Sequence, residues 1–264
     1  MNMALKAALA LLLLAPLASC AHSTSSDEKW VRLFDGKTLD GWTPKISGYA
    51  AGEDPFATFR AEEGKIRVSY DRYQGKFQKR FGHLAYRAPF GAYRLRLEYR
   101  FTGRSFTDVE DWQQSNSGVM LHAQPPSTMR KDQFFPVSIE VQLLGAERQE
   151  PSPTANLCTP GTHVIMGGSL HTIHCFNSTS PIIPNDRWTT VELEVDLQGN
   201  FKHVVNGQTV MQYGGAQYDP DDADAQPLIK SAGGELAIKQ GYIYLQSEGH
   251  PVEFRNVELQ SLPE

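Results

Sequence analysis

Cysteine, basic clusters and long apolar runs are all scarce in this chain of 264 residues, and each scarcity removes a class of protein. Twenty-five Lys and Arg are outnumbered by 30 Asp and Glu, a formal charge of −5, and no basic block is present to track phosphates, so no nucleic-acid partner is expected. Beyond residues 7–18 no stretch approaches the ~18 apolar residues that a membrane-spanning helix needs. Helical periodicity is rare, no internal repeat is visible, and no Pro-, Gly- or Ser-rich linker divides the chain internally. Together these point away from α/β and repeat architectures and toward one large domain.

What is present begins with a leader. Lys6 supplies a positive start, residues 7–18 an apolar stretch, and Leu17-Ala18-Ser19-Cys20 a small-residue cleavage site that resembles a bacterial lipobox. The expected organisation is a lipoprotein signal peptide over residues 1–19, a lipidated tether over 20–29 starting at Cys20, and a single domain over 30–264. A lipid anchor in the cell envelope follows, facing the periplasm; a plain secretory signal with a chance cysteine is the alternative. In such a compartment the two remaining cysteines, Cys158 and Cys175, are expected to form a disulfide. A metal site is the competing reading, because His163, His171 and His174 lie between them.

Period-two alternation recurs along the rest of the chain. Tyr93, Leu95, Leu97, Tyr99 and Phe101 share one face of a strand, and Arg94, Arg96, Glu98 and Arg100 take the other. Residues 188–197 repeat the pattern, with Val191, Leu193, Val195 and Leu197 expected inward. Asn206-Gly207 suits the positive φ angles of a two-residue type I′ hairpin turn. Further strands are expected at 65–69, 83–87, 117–122 and 138–144. A closing hairpin is expected over 241–262, turning at Ser247-Glu248-Gly249-His250-Pro251. Residues 151–184 and 217–234 read as long loops. Many short strands without a helical crossover bury their apolar faces only by packing sheet on sheet, so the expected fold is all-β, an antiparallel two-sheet β-sandwich.

Several polar groups stand where alternation turns them away from the core. On 138–144, Val137, Ile139, Val141 and Leu143 face inward, which leaves Glu140 and Gln142 on the opposite face. On the last strand pair Ile243 and Leu245 go inward and Gln246 outward, with Glu248 at the rim and Arg255 across the return. Carboxylate, amide and guanidinium each make the paired hydrogen bonds that sugar hydroxyls accept and donate. Asn116-Ser117-Gly118 offers a side-chain amide and a glycine that permits close approach, and His122 follows on the same strand. Trp112 stands in a polar stretch as a stacking platform for a sugar ring, whereas Trp42 and Trp188 lie in apolar surroundings and read as core. Among the histidines His163 is ranked first for proton transfer near neutral pH.

LFDGKTLDGW over residues 33–42, NSG over 116–118 and GYIYLQSEGHPVEFRNV over 241–257 occur in this order. The chain thereby resembles the 3-keto-glycoside lyase/hydratase family, also called 3-keto-disaccharide hydrolases, from about Trp30 to Leu262. The resemblance implies a concanavalin-like jelly roll and cleavage of glycosides already oxidised at the third sugar carbon. A base would remove the hydrogen on the second carbon, and the resulting enolate would expel the glycosidic oxygen, leaving a 2-hydroxy-glucal that water can later hydrate. The resemblance bears on Asn116, Glu140, Gln142, Gln246 and Glu248, which match its motifs; taken with the residue-level reading, Glu140 or His163 is expected as that base, and Asn116, Trp112, His122, Gln142, Gln246, Glu248 and Arg255 as substrate-binding residues. No cofactor is fixed; a divalent metal held by Glu140, Glu248 and a histidine is an alternative way to polarise the ketone. The expected partner is an oxidised glycoside. Two rival readings are a non-catalytic carbohydrate-binding module and a conventional two-carboxylate glycoside hydrolase.

Overall fold

The computed structural model describes residues 29–263, so the leader and Cys20 lie outside the described residues. Two antiparallel sheets stack face to face. The larger has ten strands, running in space Ser169–His171, Thr162–Met166, Gln208–Tyr218, Asn200–Val205, Thr189–Val195, Tyr93–Phe101, Val252–Ser261, Lys65–Val68 and Phe59–Glu62, with Val31–Arg32 also paired to Val252–Ser261. The smaller has seven, in the order Cys175–Phe176, Asn156–Cys158, Ile139–Leu144, Asn116–Ala123, Tyr242–Ser247, Gly82–Tyr86 and Trp42–Ile46. The expected sandwich is therefore the observed fold.

Alternation places the core. Leu95, Leu97 and Tyr99 of one sheet meet Val119, Leu121, Val141, Leu143, Ile243 and Leu245 of the other in one apolar cluster, each nearly or wholly buried. At roughly 25 cal/mol per Å² of apolar surface removed from water, this face-to-face burial is the main force holding the sheets together. The outer face of the larger sheet is a lattice of ion pairs, among them Arg94 with Glu194, Arg96 with Glu258 and Arg100 with Glu253. The type I′ turn forms as expected, Asn206 and Gly207 having φ of 47° and 83°.

Several expectations change in detail. The chain from 241 to 262 is not a hairpin: Tyr242–Ser247 joins the smaller sheet and Val252–Ser261 the larger. The turn between them crosses the edge of the sandwich, with Gly249 at φ 102° and its N–H donating to the Tyr70 hydroxyl at 2.8 Å. Leu197 is 51% exposed, because the strand ends at Val195 and the alternation stops with it. Val137 packs with Ala225 and Leu228 rather than in the main core. Trp188 is half-buried on the outer face of the larger sheet, where the guanidinium groups of Arg100 and Arg255 lie 4.6 and 4.0 Å from its ring centroid. The stretch 151–184 holds four short strands, and 217–234 holds a helix, Gln226–Ser231.

Candidate active site

The outer face of the smaller sheet collects the polar positions that its core face rejects. Register aligns Lys45 with His83, His83 with Gln246, Gly118 with Gln142, and Gln142 with Asn156. The neighbouring row aligns Tyr244 with Met120, Met120 with Glu140, Glu140 with Cys158, and Cys158 with Cys175. A cleft of about 400 Å³ opens on this face, lined by Trp112, Asn116, Phe135, Glu140, Gln142, Pro160, His174, Glu248 and the Cys158–Cys175 disulfide. Two larger grooves, of about 630 and 710 Å³, lie elsewhere. The acids of the first are already engaged: Glu194 pairs with Arg94 and Lys202, and Asp196 accepts from Gln198 and Asn200 in a turn.

Each cleft residue is held by identifiable contacts. The crossing turn delivers Glu248, whose carbonyl accepts from the Gln113 side chain at 3.3 Å, while Ser115 N–H donates to His250 Nδ1 at 3.1 Å. Asn116 donates through Nδ2 to the Trp112 carbonyl at 2.9 Å, and Asn156 donates to Gln142 Oε1 at 3.2 Å. Gly118 makes room for the centre. A Cβ there would sit 2.8 Å from Glu140 Oε1 and 3.1 Å from Gln246 Oε1, so only the missing side chain lets these two groups converge. Trp112, 46% exposed, stacks on Phe81 with 13° between ring planes, and Phe134 and Phe135 also pack on Phe81, 5.1 and 4.9 Å away between centroids. These rings make an apolar wall of the kind on which the C–H face of a sugar stacks.

The electrostatics are those of a buried acid pair. Burial pushes the Glu140 carboxyl up from 4.5 to about 8, partly offset by the nearby Gln246 amide, although that amide makes no hydrogen bond of ordinary geometry. Glu248 is raised well above the usual range, first by burial and then by the charge of Glu140, with Arg148 opposing. Two carboxyls that repel in a buried site do not ionise together, so the pair keeps at least one proton at neutral pH. Arg148 is itself fixed beneath the site, donating to the carbonyls of Trp112 and Gln114 at 3.2 and 2.6 Å. Burial lowers the His174 imidazole, which therefore favours its neutral form.

Of the residues singled out from sequence, Glu140, Gln142, Asn116, Trp112, Gln246 and Glu248 are brought together. His163, His122 and Arg255 are not. His163 lies on Thr162–Met166 in the larger sheet, its Nε2 3.4 Å from Asp219 Oδ2, and His174 occupies the cleft instead. His122 adopts φ 48°, which breaks the alternation of its strand; its ring turns to Phe201 and Tyr93 and its Nε2 lies 2.9 Å from the Gly91 carbonyl. Arg255 follows the last strand into the larger sheet and pairs with Glu98. The disulfide forms between cross-strand neighbours, which commits both thiols. Among the described residues the one group of three metal-ligand side chains close together is Cys158, His174 and Cys175, so Glu140 and Glu248 have no histidine near enough to complete the ligand set expected of them. Sequence reasoning missed His83, Phe81, Phe135 and Arg148. His83 carried a readable signal, since it opens an expected strand in phase with Ala85 on the outward face.

A β-sandwich with paired buried acids, amides and an aromatic wall on one sheet face has the make-up of a carbohydrate-acting protein. The chain belongs to the 3-keto-alpha-glucoside-1,2-lyase-like domain family, whose model matches residues 29–260. Among solved structures it is similar to a protein of Parabacteroides distasonis ATCC 8503 provisionally described as a glycosyl hydrolase, at 16% identity and a TM-score of 0.53, covering 90% of this chain and 96% of that one. A Bacillus subtilis protein with a galectin-like fold matches at 11% identity and a TM-score of 0.50, over 84% and 90% of the two chains. The exoplasmic/lumenal domain of VIP36, in a Ca2+/Man3GlcNAc-bound form, matches at 9% identity and a TM-score of 0.51, over 90% of each. These likenesses establish the fold. No curated protein matches the chain.

Proposed function

We propose that the cleft cleaves 3-keto-glycosides by proton abstraction beside the ketone and β-elimination. The observation that carries the reading is the buried Glu140–Glu248 pair lining a cleft with an aromatic wall, in a member of this family. Glu140, ionised, takes the hydrogen from the second sugar carbon, and the C–H electrons form a double bond to the third carbon while the ketone oxygen becomes an enolate. The enolate then re-forms the ketone, a double bond forms between the first and second carbons, and the bond to the glycosidic oxygen breaks. Protonated Glu248 gives its proton to that oxygen as it leaves. The products are a 3-keto-2-hydroxy-glucal and a free alcohol. General acid and base steps of this kind contribute about 10² to 10⁴ each in rate, most when the pKa lies near the working pH.

Asn116 and Gln142 orient the hydroxyls, and Trp112 carries the ring face. The ligand set for a metal is incomplete at the acid pair, so no step is routed through one. The soluble domain, offered a chromogenic glucoside and separately its 3-keto derivative, is expected to release the leaving group from the keto sugar alone. Release from the plain glucoside would overturn the elimination reading in favour of a two-carboxylate hydrolase, and release from neither would leave a binding module. For location we propose lipidation at Cys20 and a periplasm-facing anchor, on the strength of the Leu17-Ala18-Ser19-Cys20 pattern.

A further inference from the structure

Buried polar atoms are almost always paired, and those that are not mark strain, water or an absent ligand. Ten buried side-chain nitrogen or oxygen atoms among the described residues lack a partner, and six of them are on one strip of the outer sheet face: His83 Nδ1 and Nε2, Gln246 Oε1 and Nε2, Asn116 Oδ1 and Glu248 Oε2. Asn116 and Glu248 line the cleft already described. His83 and Gln246 do not. They are direct cross-strand neighbours, both fully buried, and between them they leave every side-chain polar atom unpaired. Leaving one such group unsatisfied costs on the order of 1–3 kcal/mol, so four together are an expensive structural feature with no structural return.

The surroundings indicate what would satisfy them. Gln246 leans over Gly118 toward Glu140, which places the pair beside the acids. On the far side of His83 lies Lys45, also buried, its ammonium donating to the carbonyls of Ile46 and Lys131 at 3.2 and 3.1 Å. The face therefore runs from a positive end at Lys45, through a neutral imidazole and an amide, to the acid pair Glu140 and Glu248. Burial and the Lys45 charge hold the imidazole neutral, and a neutral imidazole still donates one hydrogen bond. The rings of Phe135 and Tyr244 pack edge-to-face on His83, 5.9 and 6.3 Å away between centroids, and the Phe135 ring also lines the cleft.

We propose that His83 and Gln246 form the donor pair for the ketone oxygen of the substrate, reached when Phe135 moves off the imidazole. This rests on the elimination reading above. The oxygen that becomes the enolate then lies between two N–H donors at the positive end of the face, while the second-carbon hydrogen and the glycosidic oxygen lie over the acids. Donors fixed where charge develops act most strongly in a water-free site.

The test uses His83→Leu, which keeps apolar volume, and His83→Gln, which keeps a donor. Turnover of a 3-keto glucoside is measured together with deuterium wash-in at the second carbon in D2O, melting temperature, and calorimetric affinity for a 3-keto sugar against its 3-hydroxy counterpart. His83→Leu is expected to lower both kcat and wash-in by about 10²-fold, the usual effect of removing one such donor, with KM changed less than about 3-fold. Its melting temperature should stay level or rise, since two unpaired nitrogens are gone, and His83→Gln should recover part of the rate. Unchanged wash-in in His83→Leu, or a loss of rate that follows a fall in melting temperature in both variants, would overturn the proposal. A wild type that neither cleaves nor exchanges would sink the lyase reading instead. The binding comparison then judges the pair: a ketone preference lost in His83→Leu supports it, and equal affinity for both sugars in the wild type, as for a cavity that holds ordered water only, refutes it.

Discussion

Replacing Glu140 by Gln should stabilise the protein in alkaline solution and leave it nearly unchanged in acid. Folding raises the Glu140 carboxyl from 4.5 to about 8, so the folded state keeps a proton that the unfolded chain gives up. Stability is therefore greatest below the unfolded value and is lost as pH rises from about 4.5 through about 8. At about 1.4 kcal/mol per unit the whole span amounts to on the order of 5 kcal/mol. Glutamine has the shape of the protonated carboxyl and cannot ionise, so Glu140→Gln avoids this loss. It also removes the charge that helps raise Glu248. With about 2–4 °C per kcal/mol for a domain of this size, the variant should melt roughly 10–20 °C above the wild type at pH 8.5 and within about 1 °C of it at pH 4.5. Thermal melts across that range in parallel buffers read the difference directly. The same variant loses the proposed base, so its turnover should fall by about 10²-fold or more at every pH. A gap between the two melting curves that does not change with pH would show that the carboxyl is solvated in the fold, and the acid-pair argument would fail with it.

Gly118→Ala should keep the fold and cut kcat by about 10²-fold, because its Cβ would push the flexible ends of Glu140 and Gln246 apart and misplacements of this size are that costly; activity within 3-fold of wild type would contradict the packing. Joint replacement of Cys158 and Cys175 by Ser opens a cross-link spanning 17 positions and should lower the melting temperature by roughly 6–12 °C, from about 3 kcal/mol of lost chain restriction. Reduction of the wild type should reproduce the shift. His163→Ala should leave kcat/KM within about 3-fold, since the ring lies outside the cleft beside Asp219; a large loss would restore it as a candidate base. Cys20→Ser should move the protein from the membrane fraction to the soluble one on cell fractionation, and no movement would argue for a plain secretory signal.

Local pattern determined a good deal. Strand direction repeats every two residues, so the sequence alone assigned Leu95, Val141 and Leu245 to a core and Glu140, Gln142 and Gln246 to the opposite face. Asn-Gly specified its turn through the φ angles only those residues adopt readily. The abundance of short strands without crossovers fixed the sandwich class. What alternation cannot encode is the partner of a strand, because pairing joins residues far apart in the chain and the same pattern suits either sheet. Only the tertiary structure sent Tyr242–Ser247 and Val252–Ser261 to opposite sheets, which put Glu248 beside Glu140 and carried Arg255 away to Glu98. One left-handed residue, His122 at φ 48°, reversed a side chain that strict alternation would have aimed at the cleft face. The choice of His174 over His163 at the cleft, and the unpaired strip of His83 and Gln246, likewise arose from cross-strand register, which is decided when the whole sandwich closes.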